Sequence, residues 1–280
     1  MSKTINCPLC QRKVAEPELI AGVSNTHGGA FSQTSYDLVH CRDCDVVRLD
    51  PLPTEADLDI LYRQTEQFSD DLYTDDSRIS SMLEYYGHCL ENLGLMPAGG
   101  EASLEVGAGF AWVSRAIKMR DESVVTIAQD VTDECSEKCA WVDRYHVGLL
   151  DTLDPGQKFR LISLTHVIEH LRHPAAMLVE LAEKLSPEGR ILVTAPHRPI
   201  GWQPGGDVQT WLDYSYLHVP AHIAYLSREW FDITAARAGL KVVHWDAGHE
   251  DGQAFEAVLG VDPDARSSWW ARLKKKVGQG

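Results

Sequence analysis

Ser103-Leu104-Glu105-Val106-Gly107-Ala108-Gly109-Phe110-Ala111 is a short apolar run that carries an acid and then breaks into two closely spaced glycines. Such a run reads as a buried strand ending in a sharp turn, because glycine lets the backbone approach a ligand that any β-carbon would hold off. Outward from it, Val124–Ala128, Leu161–Thr165, Arg190–Ala195 and Leu240–Trp245 repeat the apolar run, with helical spacings between them. That alternation predicts an α/β fold with a doubly wound, mostly parallel sheet and crossover helices on both faces. Ala254–Gly260 is a last strand candidate, suited to antiparallel pairing. In such a sheet a nucleotide lies at the carboxyl ends of the strands, where their order reverses, so the glycine turn is the first candidate site.

The dinucleotide fingerprint G-x-G-x-x-G is not met. Glu105, two residues before the first glycine, would repel a pyrophosphate and suits a ligand with positive charge, such as an amino group or a sulfonium. Asp130 ends the second strand, where a carboxylate accepts from both hydroxyls of a ribose; Gln129 could do this more weakly, and helix capping by Asp130 or Thr132 is the structural alternative. After the third strand, Val147-Gly148-Leu149-Leu150-Asp151 offers leucines and a carboxylate to frame an adenine.

The chain has 280 residues, 26 basic and 41 acidic, for a net charge of −15. So negative a surface repels a phosphate backbone, which excludes a general nucleic-acid binder. No apolar run approaches the roughly 20 residues that cross a bilayer, and Met1–Cys10 lacks the pattern of a secretion signal, so a cytoplasmic location is expected. Four of the seven cysteines form two CxxC pairs, Cys7/Cys10 and Cys41/Cys44. In a reducing compartment two such turns complete a tetrahedral Cys₄ shell around zinc, closed to substrate and therefore structural, with His40 as a substitute ligand. Cys89, Cys135 and Cys139 fall on predicted helices as small buried thiols.

Four stretches follow: a zinc ribbon over 1–50, a helical linker or lid over 51–98, the sheet domain over 99–262 and a basic tail over 263–280. In the second, Glu55–Arg63 and Asp75–Leu95 have helical spacing and are joined by an acidic loop, Ser69–Asp76; Tyr62, Phe68 and Tyr73 either sit in a plain linker or wall a ligand.

Taken together, Leu104–Gly109, Asp130-Val131-Thr132, the Gly148–Asp151 loop, Leu164–Leu171 and Leu185–Pro196 resemble the class I S-adenosylmethionine-dependent methyltransferases over about residues 100–245. Ala221–Phe231 is similar to the family's His-aromatic-Ser/Thr segment. The ribbon looks like the zinc-binding domain ahead of sugar and polysaccharide methyltransferases. The resemblance implies a Rossmann-like domain binding S-adenosylmethionine. Glu105 would sit near the donor's amino end, Gly107, Gly109 and Phe110 in the turn beneath it, Asp130 on the ribose, and Leu150 with Asp151 beside the adenine. Two departures are Ala111 at the family's third glycine and Arg160 at the acid that opens its fourth strand.

His166, Glu169 and His170 are spaced i, i+3, i+4 after the strand Leu161–Thr165, and His222 belongs to a later segment that can fold over the same mouth. Some methyltransferases of the superfamily hold a metal with a Glu-x-x-Glu-His cluster and a later histidine. This chain looks similar with His166 in the first position, which shifts the preference from magnesium toward a transition metal. The alternatives are a metal-free general base from His166, His218 or His222, or a helix cap by Glu169 and His170 with His166 lining the donor pocket. The long connection His197–His218, with Trp202, Trp211, Tyr214 and Tyr216, is expected to select the substrate, although its aromatics can equally plug the loop onto the sheet.

The tail Arg266–Lys276 suits at most weak contact with a membrane surface. The expected activity is methyl transfer to a small acceptor, foremost an oxygen of a sugar, polyol or natural-product intermediate. Its rivals are a zinc-containing RNA methyltransferase and a non-catalytic, cofactor-sensing scaffold.

Overall fold

Strands β1 (Thr4–Asn6) and β2 (Lys13–Ala15) form a hairpin whose turn carries Cys7 and Cys10. Strands β3 (Glu18–Ser24), β4 (Ser35–Cys41) and β5 (Val46–Asp50) follow as an antiparallel meander, with Cys44 in the turn between β4 and β5. The fold is seen in a computed structural model that describes residues 4–27, 31–64, 75–248 and 252–264. Helix α1 (Glu55–Gln64) is held by Asp57, a fully buried acid that accepts from the Ser32 N–H at 2.6 Å, the Ser32 hydroxyl at 2.7 Å and the Thr54 hydroxyl at 2.8 Å. Helix α2 (Asp76–Asn92) starts at Asp75, whose carboxylate caps the Ser77 and Arg78 N–H groups.

The sheet domain then runs β6 (Ala102–Val106), α3 (Trp112–Arg120), β7 (Val125–Asp130), β8 (Arg144–Val147), β9 (Phe159–Thr165), α4 (Pro174–Lys184) and β10 (Leu185–Pro196). After it come a short helix α5 (Gln209–Leu212), β11 (Ala224–Tyr225), α6 (Arg228–Arg237), β12 (Leu240–Gly248) and β13 (Ala254–Val261). Seven strands pair in the order β12-β13-β10-β9-β6-β7-β8, with β13 antiparallel to both neighbours and the other pairs parallel. The expected antiparallel last strand is present, inserted between β10 and β12.

Both faces are covered, which is why these strands read as continuous apolar runs. Leu104, Ile127, Ile162, Leu164, Ile191 and Val193 pack toward α4 and α6 with Leu178, Leu181, Trp230 and Phe231. Leu161, Leu192 and Val258 pack toward α2 and α3 with Leu83, Leu90, Val113 and Ile117. The strand order reverses between β6 and β9, so the segments after Val106 and Thr165 open on one crevice.

Two crossovers differ from expectation. The connections from β7 to β8 and from β8 to β9 carry single 3₁₀ turns, Ser136–Lys138 and Leu150–Thr152, in place of helices. Cys135 and Cys139 therefore flank a turn and are not on a helix; their thiols still bury, packed with Phe110 and Ala111, and that burial closes the sheet face where a helix would otherwise lie. Cys89 lies on α2 as expected.

The N-terminal meander does not end with β5. Strand β11 pairs with it, Ala224 opposite Arg48 and Tyr225 opposite Val47, giving a four-stranded sheet β11-β5-β4-β3. Among the described residues no helix is long and apolar enough to cross a membrane. The loop residues Phe68 and Tyr73 and the basic tail from Arg266 lie outside the described residues.

Candidate active site

Strand β6 delivers Glu105 and then turns through Gly107 (φ +59°), Gly109 (φ +47°) and Ala111 (φ +53°), all left-handed. A β-carbon on Gly107 would stand 2.6 Å from Cγ2 of Val167, so only glycine lets this turn pass beneath the loop after β9. Glu105 is fully buried and accepts from the Val113 N–H at 3.2 Å and the Ser114 N–H at 2.7 Å. Its carboxylate thus ties the turn to the first turn of α3, where unpaired N–H groups favour negative charge. Burial pushes its pKa up to about 7 against those bonds. Glu105 is therefore not a free carboxylate at the end of a ligand but the anchor of the turn that would carry it.

Asp130, at the end of β7, is buried and accepts from the Gly109 N–H at 2.9 Å with one oxygen and from the Thr132 N–H at 3.1 Å with the other. No helix starts here, so Asp130 caps none; its bond to the Thr132 N–H closes a local turn, each oxygen keeps a further lone pair, and the carboxylate is locked beside the glycine turn. Gln129 is spent on the Gly148 carbonyl at 2.6 Å. Phe110 is turned inward, its ring 5.6 Å from that of Trp112. Leu150, expected to flank an adenine, is instead buried in the core with Leu153, Phe159 and Leu178, and Asp151 is exposed. The positive φ of Gly148 swings the chain so that Leu149, 63% exposed, takes the open side.

Across the crevice His166 leaves β9 with φ +53° and Glu169 and His170 follow on a 3₁₀ turn, Ile168–His170. Glu169 is fully buried, and among the described residues neither of its oxygens has a hydrogen-bond partner; His166 Nδ1 stands 3.6 Å and His170 Nε2 3.7 Å from one of them. Burial opposes its ionisation, but the neighbouring imidazoles, His170 foremost, hold its carboxyl below the usual range. His170 Nδ1 donates to the Ala221 carbonyl at 2.8 Å and His222 Nδ1 to the Tyr216 carbonyl at 2.7 Å, which leaves each Nε2 to face inward. Burial pushes His222 down to about 3, so its Nε2 carries a lone pair. One ligand atom each from Glu169, His170 and His222 lies within 4.8 Å of the others.

Inward lone pairs around an unsolvated carboxylate are unstable without something positive between them. Imidazoles that donate their outer N–H to backbone carbonyls are the usual outer shell of a metal site, and this donor set fits a divalent transition ion. His166 stacks on Tyr216 at 6.2 Å and 13° and stands at the rim of the trio. His218 is exposed and forms the turn that carries His222, its ring 4.9 Å away. Two partners were not legible in the sequence, the Ala221 and Tyr216 carbonyls; Tyr62 of α1, named there as a candidate wall, meets the ring of His170 edge-on at 6.2 Å.

A family profile described as a methyltransferase domain matches residues 82–245, more than half of the chain. The chain belongs to that family. This methyltransferase is S-adenosylmethionine-dependent, and the glycine cradle beside a buried acid fits that donor. It is similar in fold to a methyltransferase of Haloferax volcanii seen in complex with the Trm112 activator, at 16% identity and TM-score 0.50, covering 70% of this chain and 99% of that one. It is likewise similar to the magnesium protoporphyrin IX methyltransferase of Synechocystis PCC 6803 with bound S-adenosylhomocysteine, at 13% identity and TM-score 0.50, covering 74% and 95%. No curated protein matches the chain by sequence.

The methyltransferase also carries its cysteines together. One sulfur each from Cys7, Cys41 and Cys44 lies within 4.8 Å of the others, and Cys10, fully buried in the first knuckle, interacts with the Cys7 and Cys44 thiols. The crowding drives Cys7 strongly down and Cys44 strongly up, as expected of thiols that cannot all ionise without a cation among them. All seven cysteines are free, and the cluster is consistent with a zinc site. His40 is not in that group of donors, and its Nε2 pairs with Asp45 at 2.8 Å.

The long connection after β10 departs from its expected role. Trp202, Trp211 and Tyr214 pack with Tyr225 on Val23, Tyr36, Leu38, Val47 and Leu49, plugging the loop onto the N-terminal sheet. Of the four aromatics only Tyr216 stands at the histidine cluster, its ring 6.3 Å from that of His222.

Proposed function

We propose that this methyltransferase moves a methyl group to an oxygen of a small acceptor, a sugar, polyol or natural-product intermediate. In this reading Glu169, His170 and His222 hold a divalent ion and the four N-terminal cysteines hold structural zinc. The observation that carries it is the buried Glu169 carboxyl group, with no hydrogen-bond partner among the described residues, facing two inward imidazole nitrogens at the switch point of the sheet.

S-adenosylmethionine supplies an already activated methyl group, and a divalent ion supplies Lewis acidity to an acceptor hydroxyl. The remaining work falls to the chain. The Gly107–Gly109 turn and Asp130 fix the donor on one side of the crevice, and the histidine cluster fixes the acceptor on the other, so the reacting atoms meet in line. As the methyl group leaves the donor sulfur for the acceptor oxygen, the hydroxyl proton passes to the imidazole of His166 at the rim, while burial around Glu169 and His222 excludes bulk water. His222, held neutral far below its ordinary range, is a poor proton acceptor by itself, which favours a ligand role over that of a free base. A net charge of −15 supports a small acceptor over RNA.

The test is transfer of labelled methyl to a panel of sugars and vicinal-hydroxyl compounds, with Mn²⁺ present or chelated. Glu169→Gln and His222→Gln are expected to lose transfer by at least about 100-fold while binding S-adenosylhomocysteine within about 3-fold, and Asp130→Ala to lose that binding. Full transfer in chelator by the wild type sinks the metal role, and RNA methylation that weakens with salt sinks the small acceptor.

A further inference from the structure

The two cysteine knuckles are built alike. In each, the residue after the second cysteine is left-handed, Gln11 at φ +54° and Asp45 at φ +51°, which turns the carbonyl of that cysteine outward. Both carbonyls are taken by one helix. The Cys44 carbonyl accepts from the Ser227 hydroxyl at 2.7 Å, and Ser227 is the N-cap of α6, accepting in turn from the Trp230 N–H at 3.0 Å. The Cys10 carbonyl accepts from Arg237 at 2.6 Å, and Arg237 is the last residue of α6. A helix of ten residues is about 15 Å long, so the knuckles grip it at opposite ends. Asp45 adds a third hold, with both oxygens on Arg198 at 2.9 and 3.0 Å.

What lies just before α6 is the acceptor side of the site. Strand β11 pairs with β5, which begins two residues after Cys44. Ile223 links the two regions directly: its N–H donates to the Glu169 carbonyl at 2.8 Å and its carbonyl accepts from the Leu49 N–H at 3.0 Å. His222 is its neighbour in the chain. The groups that shape the donor turn, Glu105, Asp130, Val113 and Ser114, lie on β6, β7 and α3 and make none of these bonds.

We propose that the metal-closed knuckles position His222. By holding both ends of α6 and the strand before it, they set the imidazole against Glu169, so loss of the cysteine-bound metal disarms the acceptor side while the donor pocket persists. Without an ion nothing ties the sulfurs of the two knuckles together, the knuckles open, and the two outward carbonyls leave Ser227 and Arg237. Ser227 and Arg237 are then positioning residues for methyl transfer. The catalytic meaning rests on the acceptor site proposed above, but the coupling itself does not.

The experiment uses the full-length protein, zinc-loaded and zinc-stripped, with Ser227→Ala, Ser227→Thr and Arg237→Gln. It reads amide hydrogen exchange of the peptide 220–227 and calorimetric binding of S-adenosylhomocysteine. Stripping and Ser227→Ala are each expected to speed exchange at 220–227 by at least about tenfold, with exchange in β6 and β7 unchanged and the S-adenosylhomocysteine affinity kept within about 3-fold. Arg237→Gln should act in the same direction, and Ser227→Thr, which keeps the hydroxyl, should restore protection. A rise spread evenly over the chain would show a merely structural metal and overturn the proposal, as would unchanged exchange at 220–227. No acceptor is needed for this readout, so its failure and that of the proposed reaction are separable.

Discussion

Replacing Gly107 by alanine inserts one methyl group where the backbone stands at φ +59° and the new β-carbon would meet Val167 Cγ2 at 2.6 Å and Cγ1 at 3.2 Å. The left-handed conformation costs a non-glycine residue about 1–2 kcal/mol, and forcing a methyl group into packed surroundings costs about 1–3 kcal/mol more. The expected loss is therefore about 2–5 kcal/mol, unless the turn moves and spoils the donor cradle instead. A double-mutant cycle separates the two costs, because Val167→Ala removes the clashing methyls and leaves the backbone strain. In the Val167→Ala background the clash is absent, so adding Gly107→Ala should cost only about 1–2 kcal/mol, a coupling of about 1–3 kcal/mol between the sites. Urea denaturation gives the stabilities and calorimetric titration with S-adenosylhomocysteine gives the pocket. A Gly107→Ala protein with wild-type stability and wild-type affinity refutes the reasoning, and additive single effects refute the assignment of the clash to Val167.

The same backbone logic runs in reverse at Ala111, which holds φ +53° with a β-carbon and caps α3 without a side-chain bond. Ala111→Gly should stabilise the fold by about 0.5–1 kcal/mol, the strain relieved less the entropy the unfolded chain gains, read as a shift in the urea midpoint. Glu105 predicts a pH dependence: folded at about 7 against 4.5 when unfolded, it keeps a proton in the native state that the unfolded chain has already lost. Stability should therefore fall as pH rises through that window, by about 3 kcal/mol in all, and Glu105→Gln should flatten this part of the profile while losing one helix N–H bond. An unchanged difference between wild type and Glu105→Gln at pH 5 and pH 8 would contradict it.

The glycine turn, Asp130 and the strands of the central sheet were legible because each is dictated locally: a strand covered on both faces is a continuous apolar run, and a left-handed turn asks for glycine. The spacing of His166, Glu169 and His170 showed that they could meet, but not that a left-handed His166 and a 3₁₀ turn bring them together. Sequence parity does not show where the positive φ of Gly148 sends the residues after it, and Leu150 lies in the core. Trp202 and Trp211 carry no local sign of whether they meet a ligand or a sheet; what decides is β11 pairing with β5, a contact no periodicity reveals.

That pairing has a consequence for how the protein is made. Arg48 and its partner Ala224 are 176 positions apart, 224 − 48, and at about 5–20 residues per second the ribosome needs about 10–35 s to deliver the second after the first. Through that interval β5 is an open edge, with Val47 and Leu49 uncovered by the aromatic plug that later buries them. An ion captured early by the cysteine knuckles would hold the nascent meander folded while its edge waits. The yield of native enzyme should then depend on metal supply during synthesis more steeply than the stability of the finished protein does.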